Sequence, residues 1–214
     1  MENRKENKMG TLPIPKLLVS MSVPIMASML IQALYNVVDS IFVAKISEDA
    51  LTAVSLAFPV QVMMIAVAVG TAIGINALLS RRLGEKNYEE ANLVTANGIF
   101  LSVLNALAFA VFGMFGLKAF FSAFVEPGPV MEMGMAYTSI VSIASFGIFL
   151  GITGERLLQA TGITIYSMYS QMAGAITNII LDPILIFGLL GAPEMGVAGA
   201  AIATVAGQIV SLIL

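Results

Sequence analysis

The chain contains no cysteine and no histidine, and it carries little charge. Of its 214 residues, only 11% are charged and 58% are hydrophobic, whereas soluble domains carry about 25% charged residues. Without cysteine, the chain has no disulfides, thiolate metal sites or cysteine nucleophiles. Without histidine, it lacks the usual general base and the side chain that titrates near neutral pH. Any proton chemistry must therefore fall to Asp or Glu.

An excess of basic residues is also missing. The net charge is −3, which argues against a nucleic-acid partner because phosphates need basic residues to neutralise them. The sequence has no nucleophile–base pair, phosphate-binding loop or metal-ligand cluster. We therefore expect neither an enzyme nor a bound cofactor. The mean hydropathy of +0.95 indicates instead a protein that lies within a lipid bilayer.

Long apolar stretches fill most of the sequence. A transmembrane helix needs about 20 mostly apolar residues, and the gaps between charged residues meet that length six times. The sequence therefore predicts an all-α membrane protein, a bundle of six transmembrane helices. The predicted spans are 17–44, 50–80, 91–117, 132–154, 157–190 and 196–214.

The two ends of the chain differ in character. Residues 1–16 begin "MENRKENKMG", a charged stretch of mixed sign that predicts a cytoplasmic tail rather than a signal peptide. Residues 17–214 form one six-helix unit whose last helix is still apolar at Leu214. We therefore expect a chain truncated at the end of helix 6. A half-size transporter that dimerises is the other interpretation.

The distribution of Lys and Arg predicts the orientation in the membrane. Eight of these residues fall on the side of the N-terminus, against Lys45 and Lys118 on the other side. Positive residues favour the cytoplasmic side, so we expect a cytoplasmic N-terminus in the plasma or inner membrane. Glu155 and Arg156 fall between the fourth and fifth spans, where we expect a solvated or locally paired helix end at the cytoplasmic edge.

Three of the predicted helices carry a stripe of polar residues. At about 100° per residue, these residues share one face of each helix, and the other faces are mostly apolar. Polar stripes within a membrane are expected to face each other around water or an ion. The stripes comprise Thr164, Ser167, Gln171, Gly174, Asn178 and Asp182 in the fifth span, Ser28, Gln32, Tyr35 and Asp39 with Asn36 at its edge in the first, and Ala200, Thr204, Gln208 and Ser211 in the sixth.

The segment "NIILDPILIFG" places an acid beside a helix breaker. Pro183 cannot bond to the carbonyl oxygen of Ile179, and Asn178 and Asp182, four residues apart, project the same way. These oxygens are hard ligands that suit sodium or a proton. Because an unpaired charge in a span costs at least about 2.5–3.5 kcal/mol, Asp182 is a functional candidate. Asp39, nearer the end of its span, is either its partner or an interfacial residue.

Several segments resemble one family of transporters. "VPIMASMLIQALYNVVDSIFVAK" resembles the first helix of the MATE family, the multidrug and toxic compound extrusion transporters, with an early proline and a late acid. "LGEKNYEEAN" is similar to the family's cytoplasmic loop after helix 2. "LLQATG", "NIILDPILIFG" and "GVAGAAIATV" resemble its helices 5 and 6. The resemblance extends over nearly all of the chain after the tail.

The resemblance implies a twelve-helix transporter of two six-helix lobes that open alternately to either side. Such transporters export cationic, amphipathic drugs in exchange for sodium or protons, and this chain covers the first lobe. Its partner is then the missing lobe, helices 7–12, or a second copy. The implied cation site comprises Asp39, Tyr35, Asn178, Asp182 and Thr204, with sodium at Asp39, Asn178 and Asp182.

The remaining stripe residues Gln32, Asn36 and Gln171 are expected to support that site, and Pro24 and Pro183 to bend their helices. Two other functions remain open. A lipid-linked oligosaccharide flippase of the same superfamily would need cationic residues in its cavity, and no Lys or Arg lies within a predicted span. A membrane assembly protein without transport activity is the third interpretation.

Overall fold

A computed structural model describes residues 12–214, so most of the predicted tail lies outside the described residues. Helix α1 begins at Ile14, inside the last part of the predicted tail. A single turn of 3₁₀ helix, Leu189–Gly191, follows α7. The helices of the described part are α1 Ile14–Ala44, α2 Glu48–Gly84, α3 Tyr88–Phe115, α4 Leu117–Ser122, α5 Pro129–Ile143, α6 Phe146–Ala160, α7 Thr164–Phe187 and α8 Gly196–Ile213.

These helices form an all-α bundle with six candidate membrane spans. Helices α1, α2, α3, α7 and α8 are each long and apolar enough to cross a bilayer. Helices α5 and α6 pass the same test as a pair, bent by 46° at the short break between them. Counting that pair as one span, residues 12–214 contain the predicted six helices and no strand. We call the end where α1 begins the amino-terminal end of the bundle.

The turn between the fourth and fifth spans lies later in the chain than the charge pattern predicted. Helix α6 runs through Glu155 and Arg156 to Ala160, and α7 begins only at Thr164. Both charged residues are therefore inside a helix of the bundle and are not a solvated helix end. Arg156 is locally paired, as one of the two expectations had it, because its Nη1 donates to Gln159 three residues later. Glu155 instead accepts a hydrogen bond from Gln171 of α7, so the charges did not mark the end of the helix.

The sharp break in the bundle falls at Ala144–Ser145, where there is no proline. Ser145 is fully buried, and its hydroxyl donates a hydrogen bond to the carbonyl oxygen of Ala106 in α3 at 3.1 Å. By contrast, α1 and α7 are each one helix through Pro24 and Pro183. The bends predicted at these two prolines stay predictions.

Helix α7 packs between α1 and α8, which brings the three polar stripes together. The contact with α8 is backbone to backbone, because a Cβ atom on Gly199 would lie 2.5 Å from the carbonyl oxygen of Leu185. The small residues of α8 thus mark a close helix contact, as small residues do in membranes. The spacing of Gly70 and Gly74 in α2 also predicts a close helix contact. In the structure, however, a Cβ atom on either glycine would have no neighbour within 4 Å.

Candidate cation site and central cavity

Asp182 and Asn178 lie at the centre of the bundle, one helical turn apart on α7. Asp182 is 0% exposed and Asn178 is 2% exposed. With the Asn178 amide turned so that both of its atoms meet complementary groups, its nitrogen donates to Oδ2 of Asp182 at 3.2 Å. In the same orientation, its oxygen accepts from the backbone N–H of Thr204 at 3.2 Å. Asn178 therefore connects the acid on α7 to helix α8.

Asp39 of α1 faces Asp182 across the α1–α7 interface. The two carboxyl groups lie close enough to interact directly, although they lie in different spans of the sequence. Oδ1 of Asp39 is buried and has no hydrogen-bond partner within residues 12–214. Two carboxylates this close repel each other unless a proton or a cation lies between them. The geometry therefore provides a place for one positive charge.

Tyr35 and Thr204 complete the set of residues implied for this site. The Tyr35 side chain lies close to Gln32 one turn earlier on α1, and it is close enough to Asp39 and Asp182 to interact electrostatically with both. Thr204 contacts Asn178 through its backbone N–H. All five residues of the predicted cation site are thus brought together where α1, α7 and α8 meet.

Tyr137 of α5 joins the same cluster, and no sequence pattern indicated it. Its side chain is 2% exposed, and its hydroxyl accepts a hydrogen bond from Nε2 of Gln61 in α2 at 2.8 Å. The same hydroxyl lies close to the side chain of Thr204. Tyr137 therefore extends the network from α8 to α5 and α2. A lone tyrosine without polar neighbours at helical spacing offers no signal that could have identified it.

A cavity of about 410 Å³ opens beside this cluster. It reaches Asn178 and Thr204 near the acid pair and continues toward the amino-terminal end of the bundle. The predicted supporting residues Gln32, Asn36 and Gln171 all line it, so the three polar stripes face a common space. Apolar side chains, among them Met29, Phe58, Met64 and Ile148, form the rest of its wall.

Glu155 and Arg156 of α6 line the amino-terminal part of the cavity. Nε2 of Gln171 donates to Oε2 of Glu155 at 2.7 Å, and Nη1 of Arg156 donates to Oε1 of Gln159 at 2.7 Å. The sequence placed both charges at a helix end and so missed their position in the cavity. Gln171 could have indicated this position, because a polar side chain on the stripe of α7 needs a hydrogen-bond partner on a facing helix.

The oxygen-rich donor set at Asp39 and Asp182 suits a small, hard, monovalent cation or a proton. Within residues 12–214 there is no group of three or more Asp, Glu, His or Cys side chains that could hold a metal ion. Two carboxyl groups assisted by amide, hydroxyl and carbonyl oxygens match the ligand preference of hard cations. They do not match that of zinc or copper, which favour nitrogen and sulfur.

Known proteins similar to this chain are membrane transporters. The family model MatE matches residues 24–184. The FAD transporter of Shewanella oneidensis is 27% identical over 202 residues, which are 94% of this chain and 45% of that protein. The multidrug export protein MepA of Staphylococcus haemolyticus is 28% identical over 190 residues, which are 88% of this chain and 41% of that protein. The chain thus spans less than half the length of these relatives.

Solved structures agree with the family match. A multidrug resistance MATE family transporter of the MOP superfamily, in an outward-facing conformation, superposes with a TM-score of 0.86 at 30% identity, covering 92% of this chain and 43% of that one. A MOP superfamily transporter from Pyrococcus furiosus gives the same values. Since the family model matches well over half of the residues, the chain belongs to the MatE family of membrane transporters.

Proposed function

We propose that this chain is the N-terminal lobe of a cation-coupled antiporter that exports amphipathic cations across the cell membrane. The observation that carries the proposal is the proximity of the Asp39 and Asp182 carboxyl groups, which repel each other unless a positive charge lies between them. Sodium or a proton would supply that charge, held by Asp39, Asn178 and Asp182 with Tyr35 and Thr204 beside them. The apolar and polar walls of the cavity suit an amphipathic substrate.

The two acids lie on different helices, which provides a way to couple ion binding to helix movement. Asp39 lies on α1, and α1 packs mainly against α7, which carries Asp182. Two unit charges 4 Å apart repel by about 4 kcal/mol at an effective dielectric constant of about 20. When an ion binds between the two acids, α1 moves toward α7. When the ion leaves, the repulsion between the acids moves α1 away, and Pro24 is the position at which α1 would bend. Because α1 also lines the cavity through Gln32 and Tyr35, its movement changes the space available to the substrate.

Alternating access further requires a second six-helix half, because a lobe alone has no cleft to open to either side. The second half is helices 7–12 of the same polypeptide or a second copy of this chain. Lys and Arg are more frequent on the side of the N-terminus, which favours a cytoplasmic N-terminus. The amino-terminal end of the bundle then faces the cytoplasm, and the acid pair lies in the outer half of the membrane.

The position of Arg156 is relevant to the alternative function, a lipid-linked oligosaccharide flippase. No basic residue lies within a predicted span, which disfavours a flippase, but α6 contains Arg156 and places it in the cavity. One arginine beside Glu155 still falls short of the basic surface that a pyrophosphate headgroup needs. The Shewanella relative is named an FAD transporter, so substrates differ among relatives, and an amphipathic cation is our proposal for this one.

Efflux of ethidium from cells tests the function, with the chain produced together with its second half. Asp39→Asn and Asp182→Asn in combination should abolish efflux and its dependence on sodium or on the proton gradient. Asp49→Asn, an exposed acid in the first turn of α2, is the matched control and should export normally. Unchanged, ion-dependent efflux by the double variant would show that the ion binds elsewhere. Absence of efflux by the unaltered protein would favour an assembly protein without transport activity.

A further inference from the structure

The amino-terminal part of the cavity carries two opposite charges that the cation site does not use. Glu155 and Arg156 are consecutive residues of α6 and both line the cavity. Gln171, which holds Glu155, precedes Asp182 by 11 residues on α7, or about 16 Å at about 1.5 Å per residue. The two charges are therefore far from the acid pair and form a separate feature of the same cavity.

Each of these charges is held by a glutamine and not by the other charge. The Gln171 amide donates to the Glu155 carboxylate, and the Arg156 guanidinium donates to the Gln159 carbonyl oxygen, each at 2.7 Å. In the described part of the chain, no ion pair joins Glu155 to Arg156. Neither side chain is therefore neutralised by an ion pair with the other, and both face the cavity.

Two buried polar atoms in the wall of the cavity lack a partner. Nε of Arg156 is a cationic donor, and Oε1 of Gln208, on the facing helix α8, is a neutral acceptor; neither has a hydrogen bond within residues 12–214. Gln208 also lines the cavity. Buried polar groups are usually satisfied, so Nε of Arg156 is a free donor beside Glu155, and the Gln208 oxygen is a free acceptor elsewhere in the cavity wall.

We infer that the amino-terminal part of the cavity binds the charged portion of a zwitterionic amphipathic compound. An ammonium-type group pairs with Glu155, and a carboxylate or phosphate of the same molecule pairs with Arg156. A purely cationic molecule would gain the contact with Glu155 but would meet the like charge of Arg156 next to it. This inference rests on the proposed export function and narrows its substrate class.

Binding of two matched dyes to the purified chain in lipid nanodiscs tests the inference. Rhodamine B carries a cationic xanthylium and a free carboxylate, and its ethyl ester carries the cation alone, so the two differ by one negative charge. Fluorescence polarisation gives the Kd of each. The unaltered chain should bind rhodamine B more tightly than the ester. Arg156→Gln should weaken rhodamine B binding by roughly tenfold or more, as loss of a charge-assisted contact does, and should leave ester binding unchanged or stronger.

Three further variants keep the outcome clear. Arg156→Lys retains the positive charge and should keep the preference for rhodamine B, and Glu155→Gln should weaken binding of both dyes. Arg81→Gln removes an exposed arginine that pairs with Glu85 outside the cavity and should change neither Kd.

Continued binding of the ester shows that a variant is folded. A chain that prefers the ester, or an Arg156→Gln variant that loses both dyes equally while Arg156→Lys does too, would overturn the inference. Such a chain would still be consistent with export of cations, whereas a chain that binds neither dye would contradict both proposals.

Discussion

Gly174 of α7 and Gly207 of α8 meet backbone to backbone. A Cβ atom on either residue would lie 2.7 Å from the carbonyl oxygen of the other. This close approach sets the register of the two helices, so that Asn178, one turn after Gly174, reaches the backbone N–H of Thr204. The proposed cation site therefore depends on two residues that contribute no side chain to it.

Gly207→Ala should destabilise the folded chain because the new methyl group has no room. Overpacking a tight contact typically costs about 1–3 kcal/mol, and separation of α7 from α8 should also weaken the response to the coupling ion. Gly70→Ala is the matched control, since a Cβ there meets nothing within 4 Å; it should be neutral or slightly stabilising. Thermal unfolding in detergent measures both. Equal melting temperatures for the two variants would contradict the close contact between α7 and α8.

Tyr137→Phe should reveal the part of the network that the sequence missed. Removal of the hydroxyl leaves Nε2 of Gln61 without its acceptor in a partly buried position, which costs about 1–3 kcal/mol. The double variant Tyr137→Phe, Gln61→Leu should recover part of that loss, because replacing both partners with apolar groups removes the unsatisfied donor. Thermal unfolding of the unaltered chain, Tyr137→Phe, Gln61→Leu and the double variant measures the coupling energy between the two side chains. Strictly additive losses would show that the two side chains act independently.

Glu85, in the turn between α2 and α3, should make the stability of that turn sensitive to acid. Hydrogen bonds from Arg81 and Arg82 lower the pKa of the Glu85 carboxyl below its ordinary value. A lowered pKa in the folded state means that the stabilisation is present above the unfolded pKa, about 4.3, and is lost as the pH falls through the folded pKa. The group is exposed, so the effect should be small.

Glu85→Gln tests this by protease cleavage of the turn at neutral and acid pH. The variant should be cleaved faster than the unaltered chain at neutral pH and at a similar rate below the folded pKa of Glu85. Glu126→Gln, an exposed acid in a different turn, should behave like the unaltered chain throughout. A difference that persists unchanged in acid would show that the charge of Glu85 does not stabilise the turn.

The sequence was sufficient to predict the bundle and to bring together most residues of the proposed cation site. Six apolar stretches predicted six spans, and the period of the helix brought Asp39, Asn178, Asp182 and Thr204 to facing stripes. Both predictions rest on local rules of length and angle that neighbouring helices do not alter. The predicted resemblance to a family of membrane transporters, and not of enzymes, is confirmed by membership of the MatE family.

The features that sequence reasoning missed depend on tertiary contacts. Tyr137 finds its partner Gln61 76 residues earlier in the chain, and no local pattern connects the two. The cost of a charge in lipid predicted a helix end at Glu155 and Arg156, but each of them hydrogen-bonds to a glutamine within the bundle. The break at Ser145 depends on a carbonyl oxygen of α3 and not on a proline.

Thermal unfolding of the purified chain across sodium concentration and pH tests the cation site most directly. A ligand that binds only the folded state stabilises it by about 2.7 kcal/mol at about one hundred times its Kd. The unaltered chain and Asp49→Asn should therefore be stabilised by sodium relative to choline, or by protons in sodium-free buffer. Asp39→Asn and Asp182→Asn should each lose that response. A response that survives in both variants, or is missing from the unaltered chain, would contradict ion binding between Asp39 and Asp182.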